Sequence, residues 1–314
     1  MKSLAFLAAI AAFATFASAR NTFVLNSNET HFVDPKTEQT VRYFGCDVQR
    51  GHGGRNFEET IKKLHLKHKH SKGGPRAAHL TRRQTQTPIS INTYFHVLST
   101  TANAGLITQE MANKQLTALN TAYNPYGISF VLKDTTFTTN DAWAVGSGGD
   151  MDAAKAALRA GTYKDLNIYF LTDYYGGNLG TCTLPSQVPP GAPPSMYVSD
   201  GCNVNVNTMP DGSMAGYNMG KTAVHETGHW LGLLHTFEGY SCTGDGDLID
   251  DTPMESVSTD GCPAKPAKVS CPETTGVDPI HNYMDYSTDE CYESFTPLQI
   301  ARIEELWNQF RVNF

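Results

Sequence analysis

The stretch His225–His235 reads HETGHWLGLLH, and the interpretation of the whole sequence starts from it. Residues four apart lie on one face of a helix, so His225 and His229 can point their imidazoles at one zinc ion. Glu226 lies next to the first of them, close enough to act on a water at the metal without binding the metal itself. The stretch therefore predicts a zinc site carried by a helix.

A third histidine, His235, can join this site only if the helix ends before it. Ten residues of unbroken helix would place His235 about 15 Å along the axis from His225 and roughly 80° around it. Gly232 permits the necessary turn, because glycine enters left-handed backbone conformations at little cost and often ends helices. Two alternatives stay open at this point: an amphipathic helix that happens to carry histidines, and a purely structural zinc site.

Length, composition and charge set broad limits on function. The chain has 314 residues, of which 40% are hydrophobic, enough for a sizeable core in one or two domains. Its net charge of -7 argues against nucleic acid as a partner, since no basic face would pair with phosphates. Basic residues are concentrated between Arg50 and Arg83, whereas the segment after His235 is acidic. This asymmetry suggests two parts with different fates.

Residues 1–19 have the features of a secretory signal peptide. Lys2 provides a positive start, Leu4–Phe16 an apolar core and Ala17–Ala19 a small-residue cleavage site. No later apolar run approaches the ~20 residues of a membrane span, so we expect no membrane partner. The mature protein is therefore predicted to be secreted to the extracellular space, where disulfides persist.

Residues 20–83 are predicted to form a pro-segment ahead of a catalytic domain at residues 84–314. The segment is polar and contains one short helical stretch, Phe57–Leu66. We interpret its histidine-lysine tract as a solvated charge run rather than a metal site. Arg82-Arg83 is a dibasic pair at which the segment could be removed.

Cys46 gives the predicted pro-segment a possible role in latency. The chain has seven cysteines, an odd number for a secreted protein, and removal of the segment leaves six. A thiolate is a good zinc ligand, so Cys46 could fill the fourth position on the metal until the segment is cut away. The neighbouring Asp47 could do the same as a carboxylate, and an unpaired or intermolecular Cys46 is the alternative.

From Ile89 onward the sequence has the periodicities of an α/β (α+β) domain. Strand patterns alternate with helical patterns, an order that predicts helices packed on a mainly parallel sheet. Tyr174–Pro185 is either an edge strand that can pair with an extended peptide or an ordinary loop. The predicted strands are Ile89–Leu98, Ile128–Phe137 and Leu166–Leu171, and the predicted helices are Ile107–Tyr123, Asp150–Ala160 and Pro297–Trp307.

An acidic, cysteine-rich region follows the zinc motif. Oxygen ligands at this density can bind calcium, although they match no EF-hand spacing and a solvated acidic loop is the alternative. The four acidic residues are Asp245, Asp247, Asp250 and Asp251. The cysteines lie in proline-rich, irregular sequence, which we expect disulfides to hold in shape. They are Cys242, Cys262, Cys271 and Cys291.

The zinc motif at His225–His235 resembles in full the long motif of the metzincin metalloproteases. Those enzymes also have a methionine turn below the metal, and Asn282–Tyr286 (NYMDY) is similar to it. More narrowly, His235–Gly239 (HTFEG), Asp251–Pro253 (DTP) and the four-cysteine region resemble the pappalysin-like group. Within that group the chain is most similar to the secreted fungal extracellular metalloproteases. The resemblance covers roughly Pro88 to the C-terminus.

The resemblance implies a metzincin-like zincin fold. A twisted mixed sheet with the active-site helix would form an upper subdomain at about 84–235. An irregular, disulfide-stapled lower subdomain would span about 236–314. The implied disulfides are Cys242–Cys271 and Cys262–Cys291, with Cys182–Cys202 as the third pair.

The resemblance also implies the roles of individual residues. The zinc ligands would be His225, His229 and His235, with Glu226 as general base and acid. Met284 would form the hydrophobic floor beneath the zinc, and Tyr286 would contact the developing oxyanion or the metal. Calcium in the group maps onto Asp247, the backbone of Asp250, and Thr252.

Together these features predict a secreted zinc metalloendopeptidase, made as a zymogen, that hydrolyses peptide bonds in extracellular proteins. We expect protein or peptide substrates, one catalytic zinc, calcium as a candidate second ion, and a monomer once mature. The alternative is a secreted, non-catalytic binding or structural protein that keeps zinc only as a brace. Glu226 distinguishes the two, because a structural site is normally closed by a fourth protein ligand and needs no carboxylate there.

Overall fold

The computed structural model describes residues 32–33, 40–41, 46–49, 54–69, 88–175 and 178–314. The predicted signal peptide at residues 1–19 and the dibasic pair Arg82-Arg83 lie outside the described residues. So does most of the predicted pro-segment, apart from three short strands and one helix. For Cys46–Gln49 the backbone alone is described.

The described residues form eight strands and six α-helices, numbered here in chain order. The strands are β1 (Phe32–Val33), β2 (Thr40–Val41), β3 (Cys46–Gln49), β4 (Ile89–Ser99), β5 (Ile128–Thr139), β6 (Leu166–Leu171), β7 (Gly180–Thr183) and β8 (Cys202–Asn205). The helices are α1 (Gly54–Lys69), α2 (Gln109–Tyr123), α3 (Asp141–Val145), α4 (Gly149–Leu158), α5 (Lys221–Trp230) and α6 (Pro297–Phe310). Single 3-10 turns lie at Thr101–Asn103, Asn124–Tyr126, Pro194–Met196 and Val206–Thr208.

Six strands form one mixed sheet in the order β3-β7-β8-β6-β4-β5, while β1 and β2 form a separate antiparallel pair. β4 pairs in parallel with both β5 and β6, and β6 pairs in parallel with β8. β7 runs antiparallel to β8, and β3 adds to the outer side of β7 in parallel. Every residue of β6 is buried, as expected for an apolar strand covered on both faces. The mixed sheet predicted from the resemblance is confirmed.

Three elements of the sheet region were not predicted from sequence patterns. β8 reads CNVN, in which two asparagines interrupt the apolar alternation that identifies a strand. α3 has only five residues, too few to show a helical period. β3 lies in the polar pro-segment and gains its partner from β7, far along the chain. Of the two alternatives for Tyr174–Pro185, Gly180–Thr183 forms a strand, β7, although β3 rather than β7 is the outermost strand of the described sheet.

The ends of three helices differ from the predicted bounds. α2 begins at Gln109 rather than Ile107, because the Thr108 side chain accepts a hydrogen bond from Met111 N and caps the helix. α4 ends at Leu158 rather than Ala160. At the C-terminus, α6 extends to Phe310 and begins with a capping box between Thr296 and Gln299.

The region after the zinc motif has little regular structure, as predicted. From Thr236 to Phe295, all of which is described, the chain forms turns and one isolated bridge between Asn282 and Ser294. Disulfides Cys242–Cys271 and Cys262–Cys291 cross-link it, and Cys182–Cys202 joins β7 to β8 at directly paired positions. These are the three pairs that the resemblance implied. Cross-links suit such a region, because it lacks a hydrogen-bonded ladder to hold its backbone.

One large hydrophobic core joins the two halves of the domain. It contains Phe95 and Ile168 from the sheet, Leu119 from α2, Trp230 from α5 and Ile303 from α6. Among the described residues, none of the helices has both the length and the apolar character needed to cross a membrane.

A buried charged cluster around Asp200 fixes the end of α5. The Asp200 carboxylate accepts two hydrogen bonds from the Arg311 guanidinium at 3.0 and 3.2 Å, and one each from Trp230 Nε1 and Thr183 Oγ1 at 3.0 Å. The Arg311 guanidinium also stacks 3.6 Å from the Trp230 ring centroid. Burial opposes ionisation of Asp200, but Arg311 and Arg159 outweigh it and hold the pKa of this carboxyl below its ordinary value.

We expect Arg311→Met to destabilise the protein by about 3–5 kcal/mol at pH 7, because it leaves the buried Asp200 without the guanidinium that pairs with both of its oxygens. In the wild type the depressed pKa gives stability that is present above pH 3.8 and is lost as the pH falls through the folded-state pKa. The variant raises that pKa, so its loss of stability should shrink toward pH 4. Urea unfolding at pH 7 and pH 4 measures both effects. The double variant Asp200→Asn with Arg311→Met should recover part of the loss, and an unchanged stability of Arg311→Met at pH 7 would contradict the role of this pair.

Candidate active site

The helix that carries the zinc motif, α5, is buried from Thr222 to Trp230 and is anchored at its first turn. Asp289 Oδ2 accepts hydrogen bonds from Met219 N at 2.7 Å and from Lys221 N at 3.4 Å. Lys221 Nζ returns to the same segment by donating to the carbonyls of Asp289 and Tyr292 at 2.7 and 2.8 Å. The carboxylate also suits the positive end of the helix dipole. Position and orientation of the helix are therefore set by the lower region.

Gly232 ends the helix in the way its sequence predicts. Its φ of +100° lies in the left-handed region, and its N–H donates to the His229 carbonyl at 2.8 Å. Leu233 N then donates to the Gly228 carbonyl at 2.9 Å, which completes a capped helix end. A Cβ atom at position 232 would also overlap the side chain of Leu306 in α6. Both the backbone conformation and the close packing require glycine here.

The three histidines converge on one point. Their buried imidazoles place His229 Nε2 at 3.1 Å from both His225 Nε2 and His235 Nε2. His225 Nδ1 donates to the Tyr283 carbonyl at 2.7 Å, and His229 Nδ1 donates to the Leu233 carbonyl at 2.8 Å. Because a carbonyl can only accept, both Nδ1 atoms carry the proton.

The protonation states of these rings fit a metal site. Burial lowers the pKa of His225 to about 4 and the pKa values of His229 and His235 well below the ordinary value, so the rings are neutral near pH 7. With Nδ1 protonated, His225 and His229 direct Nε2 lone pairs at one another over 3.1 Å. Such an approach is unfavourable unless a cation lies between the nitrogens. The cluster therefore fits a zinc ion bound through three Nε2 atoms.

Among the described side chains, this is the one group of three or more His, Cys, Asp or Glu residues placed to hold a metal, and no fourth member joins it. Three protein ligands leave a coordination position open, which is the arrangement of catalytic rather than structural zinc sites.

Glu226 lies against β7, called the edge strand because β3 of the pro-segment is the one described strand outside it. Its side chain is almost fully buried. A Cβ atom built on Gly180, the first residue of β7, would lie 2.5 Å from Glu226 Cγ and 2.6 Å from Cδ, inside the contact distance of real Cβ atoms. The missing side chain of Gly180 therefore makes the space in which the Glu226 carboxylate rests.

Met284 packs against α5 where the helix has no side chain. A Cβ atom at Gly228 would overlap the Met284 sulfur. The backbone near Met284 is tied to the third histidine, since Thr236 N donates to the Met284 carbonyl at 3.2 Å. The Asn282 amide exchanges hydrogen bonds of 2.8 and 3.0 Å with the Gln299 amide at the start of α6. The methionine turn is thus held by Thr236 on one side and by Gln299 of α6 on the other.

Tyr286 borders the histidine cluster, with its hydroxyl 3.2 Å from His235 Nε2. Phe237 packs on both residues, stacked on the His235 ring at 4.8 Å and edge-on to Tyr286 at 4.8 Å. A cavity opens beside the site between the edge strand, α5 and the segment after Met284. It is lined by Leu179, Tyr217, Thr222, His225, Glu226, Tyr286 and Tyr292.

The remaining predicted site residues lie in two other places. The backbone of Cys46 pairs with Gly180 and that of Asp47 with Thr181, so the predicted latency residues lie on the strand that covers the outer side of β7. Asp247 and Thr252 are buried in the acidic loop, apart from the histidine cluster.

Sequence reasoning missed the residues that position the motif. No sequence pattern indicated that Asp289 anchors the helix, because its contacts to Met219 and Lys221 join parts of the chain about seventy residues apart. Gly228 is one of the two unspecified positions of the zinc motif, and its contact with Met284 depends on the fold. For Gly180 the sequence did contain an indication, since the glycine-rich stretch before the zinc motif permits close approach of the backbone.

Comparison with known proteins identifies the family. The family profile Peptidase M43, described as pregnancy-associated plasma protein-A, matches residues 155–308. An extracellular metalloprotease of Podospora anserina is 49% identical over 241 residues, which cover 76% of this chain and 80% of that protein. An extracellular metalloprotease of Sordaria macrospora is 50% identical over 230 residues, covering 73% of this chain and 78% of the relative.

Solved structures agree with the sequence comparison. Mature mirolysin of Tannerella forsythia in complex with a cleaved peptide matches with a TM-score of 0.58 and 26% identity, covering 71% of this chain and 93% of that one. A promirolysin mutant from the same organism matches with a TM-score of 0.61 and 25% identity, covering 81% and 87%. The predicted metzincin-like fold is confirmed. The chain belongs to the Peptidase M43, or pappalysin, family and is a metalloendopeptidase.

Proposed function

We propose that this metalloendopeptidase is secreted as a zymogen and cleaves extracellular proteins with His225, His229 and His235 as zinc ligands and Glu226 as general base. One observation carries the proposal: three buried, neutral imidazoles meet at 3.1 Å beside a buried carboxylate, at the edge of a sheet. The open fourth position argues against the alternative of a zinc ion that serves only as a brace.

Proton transfer in the reaction would be the task of Glu226. A bound zinc supplies a Lewis acid, which acidifies a water and polarises the carbonyl of the substrate. The Glu226 carboxylate accepts the proton of the attacking water and later returns it to the leaving amine nitrogen. Gly180 lets the carboxylate lie between helix and edge strand, where a substrate carbonyl would be presented.

Substrate binding and oxyanion stabilisation follow from the surroundings. An extended peptide would pair with β7, whose outer edge can accept another strand. The Tyr286 hydroxyl, 3.2 Å from His235 Nε2, would donate a hydrogen bond to the oxyanion. Met284, fully buried under Gly228, would form the apolar floor of the site.

Latency is supported by the position of β3. In this structure, β3 of the pro-segment pairs with the outer side of β7, where a substrate would have to bind. The match to promirolysin covers 81% of this chain, more than the 71% matched by mature mirolysin. Cys46 and Asp47 lie in that strand, and either could bind the metal until the segment is removed.

Secretion, protein substrates and a monomeric mature form complete the proposal. The fungal relatives are named extracellular metalloproteases, and the sequence begins with the features of a signal peptide. Three disulfides in the domain suit an oxidising compartment.

Calcium is proposed as a second ion at the acidic loop, bound by Asp247, the Asp250 carbonyl and Thr252. Asp247 Oδ1 accepts a hydrogen bond from Ile249 N at 3.0 Å, whereas Asp247 Oδ2 and Thr252 Oγ1 are buried without a hydrogen bond of standard geometry to the described residues. Burial raises the pKa of Asp247 to about 7, although Arg302 opposes the shift. A calcium ion would compensate this buried carboxylate.

Glu226→Gln should lower kcat/KM for a casein or gelatin peptide by at least about a hundredfold, because the amide cannot accept the proton from water. A metal chelator should remove activity of the wild type as well. The zinc content of the purified variant, measured by mass spectrometry, should stay at one ion per chain. Undiminished cleavage by Glu226→Gln would overturn the proposed mechanism.

Gly180→Ala should lower kcat/KM by about ten- to a hundredfold. The added methyl group would overlap the Cγ and Cδ atoms of the buried Glu226 side chain, which must then move and misplace the base. Gly149→Ala is the matched control, because a Cβ atom there meets nothing within 4 Å. Equal activities of the two variants would show that the contact between Gly180 and Glu226 does not position the base.

Calcium should raise the melting temperature more at pH 8 than at pH 5. With a folded-state pKa near 7, Asp247 costs stability as the pH rises from about 4 through about 7, because the native state then holds a buried charge. Asp247→Asn should lose the calcium-dependent increase, whereas the exposed Asp211→Asn should retain it. An increase of equal size in all three proteins would place the calcium elsewhere.

A further inference from the structure

Helix α1 of the pro-segment lies on a defined apolar face of the catalytic domain. Phe57 and Ile61, one turn apart on α1, are each only 2% exposed, with Leu64 packed beside them. The face that they contact, named here the α1 groove, consists of Leu184, Leu234, Leu248, Leu306 and Phe310. The groove therefore joins the end of the edge strand, the segment before His235 and helix α6.

A polar rim surrounds this apolar contact. Glu305 on α6 pairs with Lys67 Nζ at 3.1 Å and with His68 Nε2 at 3.3 Å. Gln309 donates a hydrogen bond to Thr60 Oγ1 at 3.1 Å. The acidic side of the rim matches α1, in which five of sixteen residues are Lys or Arg and two are Glu.

His65 of α1 makes a third kind of contact, with residues of the acidic loop. It is 6% exposed, and its Nδ1 donates to the Leu248 carbonyl at 3.0 Å. The carboxylates of Asp245 and Asp250 lie 3.7 and 3.6 Å from its ring nitrogens. The helix thus contacts the groove by apolar packing, hydrogen bonds and charge complementarity together.

The two described parts of the pro-segment near the active site are neighbours in sequence. β3 ends at Gln49 and α1 begins at Gly54, so a helix held in the groove keeps β3 close to the edge of β7. The predicted processing site, Arg82-Arg83, follows the end of α1 at Lys69. None of the contacts described above involves residues 70–87, so a cut there breaks none of them.

We propose that the α1 groove is an exosite that holds the residue 46–69 segment on the enzyme after the chain has been cut. Latency then ends when the cut segment dissociates rather than at the cut itself. The inference rests on the proposed function only in taking residues 20–83 as the segment that is removed.

The physical basis is a change of molecularity. In the uncut chain, the tether gives α1 an effective concentration of about millimolar at the groove. After the cut, occupancy follows mass action and depends on the total protein concentration. A cut enzyme in concentrated secretion would stay covered, and the same enzyme would become accessible on dilution.

The test uses the whole precursor carrying Glu226→Gln, with a recognition sequence for an added protease placed between residues 76 and 83. After the cut, size-exclusion chromatography at decreasing concentrations measures the fraction of N-terminal fragment that stays with the domain. We expect retention at about 10 μM and release toward about 10 nM. Release at every concentration tested would overturn the proposal.

Variants locate the contact. Phe57→Asp should raise the dissociation constant at least about tenfold, whereas Leu66→Asp, at a position that is 54% exposed on the same helix, should change it less than about twofold. Equal effects of both would also overturn the proposal.

Glu305→Lys keeps the apolar face intact and should weaken retention a few-fold, and adding Lys67→Glu should restore part of it. Because the inactive precursor is used without substrate, the result does not depend on whether the enzyme cleaves proteins.

Discussion

The reversal of the chain at Gly232 is the constraint on which the active site depends. Without it His235 would continue along the helix, away from the other two histidines. Gly232, with its φ of +100°, also contacts Leu306 of α6, so the position of the third histidine depends on the packing of the C-terminal helix. The lower region then closes the site from below, because Met284 and Thr236 are joined through the backbone. A local motif is completed by distant parts of the chain.

Sequence patterns predicted the parts of the structure that have a short period or a local rule. The helix of the zinc motif, the long strands β4 and β5, and the need for a turn at Gly232 all follow from spacing and backbone conformation. The resemblance added the disulfide pairs and the methionine turn. Contacts between distant residues could not be predicted in this way, since nothing near Asp289 indicates that it holds the first turn of α5. Likewise, β8 is a strand because β6 and β7 provide partners, although its own sequence is half asparagine.

The two halves of the domain keep their shapes by different means. In the upper half, hydrogen-bonded ladders and a shared core order the backbone. In the lower half, disulfides and buried polar contacts replace the ladder, as in the hydrogen bonds that Glu255 accepts from Thr236 and Lys268. This division places rigid elements behind the three histidines, while the irregular half contributes Tyr286 and Tyr292 to the lining of the cavity beside them.

The edge strand β7 is only four residues long, which corresponds to about 13 Å of extended chain. A polypeptide that pairs with it must offer a stretch of that length with its backbone N–H and C=O groups unengaged. Folded helices and inner strands cannot do so without local unfolding, whereas loops, linkers and termini can. If a substrate pairs with β7 as proposed, the shortness of β7 favours limited proteolysis at flexible segments over digestion of intact domains.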